Sequence, residues 1–265
     1  MNEPLQPFPG KEHLIPVPRG RVQVIEYGNT NKPVLVALHG WADVLERSPV
    51  LIQKLAEAFH LFTIILPGYG HSTENRHARS LPFLANLIDT VTNSLQLTTF
   101  DLLGYSLGSE IVATYLAQHR QFPGKVVLLG APLETTQKPQ WFQILKIPLM
   151  VEVFRVFPLC RNMCINGALQ QVRQLSHRRE KPLSRLKVRD ATPLGIFDTL
   201  LAGLSAFPSP TEHQQPIAFI YGENDKLLPL EIPKPHTCDL IPDTSHILHY
   251  EEPELVAEAV IKRLR

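Results

Sequence analysis

From Val22 onward the chain alternates between two hydrophobic rhythms. Val22 to Tyr27 alternates apolar and polar residues, the period of a strand with one buried face. Pro33 to Leu38 (PVLVAL) is a short continuous apolar run, which suits a strand covered on both faces. Leu51 to Phe59 has helical spacing. Leu61 to Leu66 (LFTIIL) is apolar and β-branched and predicts another strand. The rhythm continues with a helix over Leu81 to Leu95, a strand over Phe100 to Leu103, a helix over Leu107 to His119 and a strand over Lys125 to Leu129 (KVVLL). Strand and helix in regular alternation predict a parallel sheet with helices on both faces.

The rhythm then stops. From Leu133 to about Gln215 the chain is helical in texture and punctuated by proline, without a convincing buried strand. It resumes at Pro216 to Tyr221 (PIAFIY) and Thr237 to Ile241, and ends in a helix over Pro253 to Leu264. The expected organisation is an α/β core made of residues 1–132 and 216–265, interrupted by a helical insert over 133–215. The first twenty residues carry Pro4, Pro7, Pro9, Pro16 and Pro18 and read as an extended arm leading into the fold. There is no internal repeat or low-complexity segment.

In a parallel α/β sheet, ligands bind beyond the carboxyl ends of the strands. Four of those ends carry candidate chemistry. Gly104-Tyr105-Ser106-Leu107-Gly108 runs directly from a strand into a helix. A tight turn there exposes the serine hydroxyl, and the flanking glycines remove Cβ atoms that would clash. The alternative is a helix N-cap serine between turn glycines. Gly222-Glu223-Asn224-Asp225 places an acid at a later strand end. Asp225 is favoured over Glu223 because Lys226-Leu227-Leu228-Pro229 leaves the strand behind it, and an ordinary polar turn is the competing reading. Ser245-His246 follows the last strand. Histidine is the usual general base because it titrates near neutrality, and His249 competes with His246 for that place. His39-Gly40-Trp41 follows the strand PVLVAL. Its glycine lets the backbone approach a substrate oxygen, so the N–H groups of Trp41 and Leu107 are the candidate oxyanion hole. The order Ser, Asp, His is the one that Gly-x-Ser-x-Gly hydrolases use.

Composition narrows the setting. The chain has 265 residues, 44% of them hydrophobic, with a formal net charge of +1, so nothing points to nucleic acid. The three cysteines, Cys160, Cys164 and Cys238, cannot all pair within one chain, and the polar, proline-rich start lacks the apolar stretch of a signal peptide. A reducing, cytoplasmic location is expected. The longest apolar stretch, Trp141 to Cys160, is broken by Lys146, Pro148, Glu152 and Arg155 and makes a poor membrane span.

These motifs, together with Pro67-Gly68-Tyr69-Gly70-His71-Ser72 and Glu252-Pro253 behind His246, resemble the α/β-hydrolase family over nearly all of the chain outside the insert. The resemblance implies an α/β-hydrolase fold: an eight-stranded, mostly parallel sheet flanked by helices, with a helical cap inserted after the sixth strand. It implies Ser106 as nucleophile, Asp225 as acid and His246 as base, with no metal or organic cofactor. A serine nucleophile sets it apart from the dehalogenase and epoxide-hydrolase branches. Two positions depart from the family pattern: Leu66-Pro67 precede Gly68, and Ser245 rather than glycine precedes His246.

The expected activity is hydrolysis of carboxylic esters of small to medium apolar acyl groups. Tyr105, His39, Trp141 and Phe142 are expected around the substrate. Thioesterase, monoacylglycerol lipase, lactonase and carbon–carbon hydrolase chemistry use the same residues, and a receptor-like protein with slow or no turnover is the alternative of another class. Between Gln171 and Asp190 lie seven basic residues, Arg173, Arg178, Arg179, Lys181, Arg185, Lys187 and Arg189. They read either as a solvated face or as a site of weak attraction to anionic membranes or a phosphorylated carrier. Oligomeric state is not legible.

Overall fold

A computed structural model describes residues 9–133, 145, 147–174, 191–205, 207–227, 229 and 231–265. Eight strands form one sheet in the order β1-β2-β4-β3-β5-β6-β7-β8. They are β1 (Lys11–Val17), β2 (Gly20–Tyr27), β3 (Val34–Leu38), β4 (His60–Ile65), β5 (Asp101–Tyr105), β6 (Val126–Leu129), β7 (Ala218–Gly222) and β8 (Thr237–Ile241). The pairs β1–β2 and β2–β4 are antiparallel; every pair from β4 to β8 is parallel.

The expected arm is a correction. Lys11–Val17 is the outer strand β1, turning through Pro18 and Arg19 (φ 66°) to pair with β2. Pro16 sits opposite Arg21 in this pair. An edge strand turns one row of backbone groups to solvent, where a missing N–H costs little. Burial alternates along β1, but the inward His13 is polar and the outward Leu14 and Pro16 are apolar, so the sequence does not show the alternation.

The sheet separates two apolar layers. Along β3, Val36 and Leu38 enter one and Leu35 and Ala37 the other, which is why that stretch is apolar throughout. The first layer takes in α2 (Leu81–Ser94) and α3 (Leu107–Gln118); the second takes in α1 (Pro49–Ala58) and α8 (Pro253–Leu264), with the short α7 (Leu248–Glu251) before it.

Between β6 and β7 lie α4 (Pro148–Val156), α5 (Pro158–Gln174) and α6 (Pro193–Leu204). Not all of the apolar surface here packs inward. Val151, Cys164, Ile165 and Ala168 are buried, but Leu149, Val156, Phe157, Leu159 and Met163 stand in solvent. No described helix is long and apolar enough to cross a membrane.

Candidate active site

The loops after β3, β5, β7 and β8 emerge on one side of the sheet because those strands are parallel. At the end of β5, Ser106 has φ 51° and ψ −113°, a strained backbone for a residue with a Cβ. Its two glycines are steric requirements. A Cβ on Gly104 would lie 2.7 Å from the carbonyl oxygen of Gly108, and one on Gly108 would lie 2.3 Å from that of Leu38. The Ser106 N–H donates to Leu129 O at 2.9 Å, and Ser109 Oγ donates to Gly104 O at 2.9 Å, closing the turn.

His246 reaches this turn from the loop after β8. Its Nε2 lies 3.0 Å from Ser106 Oγ and its Nδ1 lies 3.0 Å from Asp225 Oδ2. Both His246 and Asp225 are buried. The other carboxylate oxygen of Asp225 accepts the Leu227 N–H at 2.9 Å, so the acid is fixed from two sides. Glu223 is exposed and faces Asp243 N at 3.3 Å instead. The three residues singled out in the sequence are therefore the ones brought together, and Glu223 is turned away.

Gly130, which the sequence analysis passed over, belongs to this arrangement. It has φ 52°, and a Cβ there would lie 3.0 Å from both Cε1 and Nδ1 of His246. The signal was present as a glycine at the end of KVVLL. Ser245 has a local use where the family often has glycine: its N–H and hydroxyl both donate to Glu251, at 2.6 Å and 2.9 Å.

Leu107 is the first residue of α3, and a helix has no internal acceptor for its first N–H groups. Gly40 brings the other loop close: a Cβ there would lie 2.8 Å from the Tyr105 ring and 3.3 Å from Ser106 Cβ. Gly40, which precedes Trp41, and Leu107 thus flank Ser106. The Trp41 side chain points elsewhere, its Nε1–H donating to Ile196 O of α6 at 2.8 Å.

Two residues expected around the substrate have partners inside the protein. His39 is buried, and its Nε2 accepts the Leu66 N–H at 3.0 Å. That leaves the proton on Nδ1, which donates to Gly40 O at 2.8 Å. Burial lowers its pKa to about 4, so the ring is neutral at pH 7 and serves to pin the loop. Tyr105 is also buried; its hydroxyl donates to His246 O at 3.3 Å and its ring packs 4.2 Å from that of His249. Both side chains are used inside the protein. Trp141 and Phe142, and the basic side chains from Arg173 to Arg189, lie outside the described residues. His71 is an exposed turn residue against Glu12, at 2.7 Å.

A further set of contacts fastens α6 over this side of the sheet. Gly68 (φ 85°) and Gly195 touch backbone to backbone, a Cβ on Gly195 falling 2.5 Å from Gly68 Cα. Thr192 N–H donates to Gly68 O at 2.7 Å. Tyr69 links the Ala42 N–H (3.0 Å) to Thr199 Oγ1 (2.9 Å). Asp198 of α6 is in turn paired with Arg155 of α4.

The model of the α/β hydrolase fold matches residues 33–253. A hydrolase of Bacillus subtilis, the uncharacterized YugF, is 24% identical over 88% of this chain and 90% of its own. The pimeloyl-[acyl-carrier protein] methyl ester esterase of Vibrio campbellii is 28% identical over 76% of this chain and 79% of its own. A serine hydrolase-like protein of Danio rerio is 28% identical over 47% of this chain, a match that spans only 40% of that relative. Among solved structures, a thermophilic esterase from Thermogutta terrifontis superposes with a TM-score of 0.75 at 17% identity, covering 95% of this chain and 97% of that one. The epoxide hydrolase CorEH superposes almost as well, with a TM-score of 0.72 at 14% identity over 96% and 98%, so likeness of fold does not select the chemistry. With the matched region spanning the sheet from β3 to β8 and every loop that surrounds Ser106, this chain belongs to the α/β-hydrolase family.

Proposed function

We propose that the chain is a serine hydrolase that cleaves carboxylic esters of small to medium apolar acyl groups through an acyl-enzyme. The observation that carries this is one imidazole, His246, lying 3.0 Å from Ser106 Oγ and 3.0 Å from the buried Asp225. In this reading Nε2 of His246 takes the proton of Ser106 as its oxygen attacks the acyl carbonyl. Asp225 holds the Nδ1–H tautomer and stabilises the imidazolium. The tetrahedral oxyanion is met by the N–H groups of Trp41 and Leu107. His246 then protonates the leaving alkoxide, and a water activated by the same imidazole releases the acid. No metal or organic cofactor enters these steps.

The methyl ester esterase named among the relatives supports an ester over other acyl substrates. Thioesters, monoacylglycerols, lactones and carbon–carbon bonds remain within reach of the same groups, and a slow-turnover receptor is the opposing reading. In this proposal the segment 133–215 caps the site and sets its acyl preference. The exposed apolar side chains of α4 and α5, followed in sequence by the basic run to Arg189, further support weak association with anionic lipid. Sedimentation with anionic and neutral vesicles tests that part, and equal recovery with both removes it. The main test is a panel of p-nitrophenyl esters and matched thioesters of rising chain length, on wild type and Ser106→Ala, with fluorophosphonate labelling of both. Turnover and labelling that survive in Ser106→Ala would refute the nucleophile.

A further inference from the structure

The histidine not used above has a carboxylate of its own. His249 is fully buried, and its Nε2 lies 3.0 Å from Asp43 Oδ2. Asp43 can only accept, so Nε2 carries the proton; Nδ1 is buried without a hydrogen-bond partner among the described residues. The other Asp43 oxygen accepts the Tyr250 hydroxyl at 2.6 Å and its own neighbour, the Val44 N–H, at 2.9 Å. Ser48 Oγ donates to the carbonyl of His249 at 2.6 Å.

The place of this cluster in the fold gives it meaning. Asp43 stands two residues after Trp41, on the loop that carries the candidate oxyanion N–H. His249 and Tyr250 stand three and four residues after His246. Between the two loops lies the Tyr105 ring, which touches His249, hydrogen-bonds the backbone of His246 and leaves room only for a glycine at position 40. Two loops and the end of β5 therefore meet beside Ser106, and the Asp43 carboxylate joins the two loops by directed bonds.

Burying a carboxylate and an imidazole is a poor route to stability, because desolvation offsets most of their attraction. Apolar residues of the same volume would fill the space as well. What they would not supply is a fixed distance, since short bonds to a charged acceptor hold their donors in direction as well as range. We infer that Asp43 is a positioning residue for the reaction: by holding His249 and Tyr250 it sets the Trp41 N–H of the oxyanion loop against the imidazole of His246. This rests on the serine-hydrolase reading. It assigns Asp43, His249 and Tyr250 no contact with substrate; they act through the two loops.

The test compares Asp43→Asn, Tyr250→Phe, His249→Leu and His249→Gln with wild type. For each, kcat and KM are measured on p-nitrophenyl acetate, and Ki for an alkyl trifluoromethyl ketone, whose adduct with Ser106 places an oxyanion in the hole. Loss of a whole oxyanion donor costs on the order of 10²–10³ in kcat. A displaced donor should cost at least about tenfold. The expected result is that fall in kcat for Asp43→Asn and His249→Leu, with KM within about threefold and Ki rising in parallel with the loss of kcat/KM. His249→Gln, which keeps an N–H donor, recovers most of the loss. Tyr250→Phe removes a single hydroxyl and carries the test if the other variants fold poorly, with Tm measured on all. A kcat that stays at the wild-type value in folded His249→Leu or Tyr250→Phe, or a Ki that does not move, overturns the inference. Turnover that persists in Ser106→Ala instead overturns the reading beneath it, so the two failures are told apart.

Discussion

Replacing Gly195 by alanine should unfasten α6 from the core. The added Cβ would lie 2.5 Å from Gly68 Cα and 2.8 Å from its carbonyl carbon and oxygen, all backbone atoms. Gly68 has little freedom to yield, since its φ of 85° is already held by the turn after β4. Restoring ordinary contact moves the start of α6 outward by roughly 1 Å. That stretches Thr192 N–H to Gly68 O from 2.7 Å, and Trp41 Nε1–H to Ile196 O from 2.8 Å, past the range of a hydrogen bond. Two lost bonds cost about 2 kcal/mol, and overpacking adds about 1–3 kcal/mol. The better helix propensity of alanine returns up to about 1 kcal/mol. The net loss is about 3 kcal/mol, or a fall in Tm of roughly 6–12 °C for a chain of this size. Calorimetry on Gly195→Ala measures it directly, and Gly203→Ala in the same helix is the control. A Cβ at Gly203 meets Leu107 Cδ1 at 3.4 Å, an ordinary contact, so its Tm should be unchanged or raised. If Gly195→Ala melts within about 2 °C of wild type, the close approach of the two glycines does not hold α6 in place.

Three further outcomes follow from named groups. Burial pushes the Asp198 carboxyl up to about 6 despite Arg155. Its folded pKa lies above the unfolded one, so its protonated form favours folding, and that contribution is lost as pH rises from about 4 to about 6. Arg155→Met should therefore lower Tm at pH 8, where the carboxylate is ionised and left unpaired, and far less at pH 5; an equal deficit at both would count against the pair. For Glu26, burial raises the carboxyl, but hydrogen bonds from His13, His60 and Lys11 outweigh it and bring it to about 2. Its stabilisation is present above the unfolded value of 4.5 and disappears as pH falls toward 2, so Glu26→Gln should flatten that limb of an acid-unfolding curve. Asp225→Asn should cut kcat by roughly 10³–10⁴-fold by favouring the wrong tautomer of His246. Glu223→Gln, whose carboxylate faces the Asp243 N–H, should leave ester turnover near wild type, and a comparable loss in both variants would reopen the choice of acid.

What the sequence made legible is what local pattern can encode. Strands β3 to β7 announce themselves as apolar runs because residues on both of their faces are buried, and the turn around Ser106 because its glycines are forced by contacts within and beside it. Strand β1 has one buried residue and a proline, and an edge strand needs no more than that. The packing of Tyr105 was illegible for a related reason. It neighbours Ser106 in the chain, yet as the last residue of β5 it points into the layer under α1 and α8, away from the side where the hydroxyl emerges. His39 follows the same logic, buried behind the loop it precedes.

The contacts that no pattern announced join residues far apart in sequence. Gly68 meets Gly195, and Asp43 meets His249; neither partner looks unusual among its neighbours. The second pair bears most directly on the site. His246 and His249 are three residues apart, both buried, and each lies 3.0 Å from an aspartate carboxylate. A buried Asp–His pair is thus not in itself the mark of a general base in this chain. What distinguishes His246 is its free edge: Nε2 faces Ser106 Oγ, whereas His249 turns that same nitrogen toward Asp43. One imidazole is turned toward a serine hydroxyl and the other toward a loop carboxylate, with the Tyr105 ring packed against both.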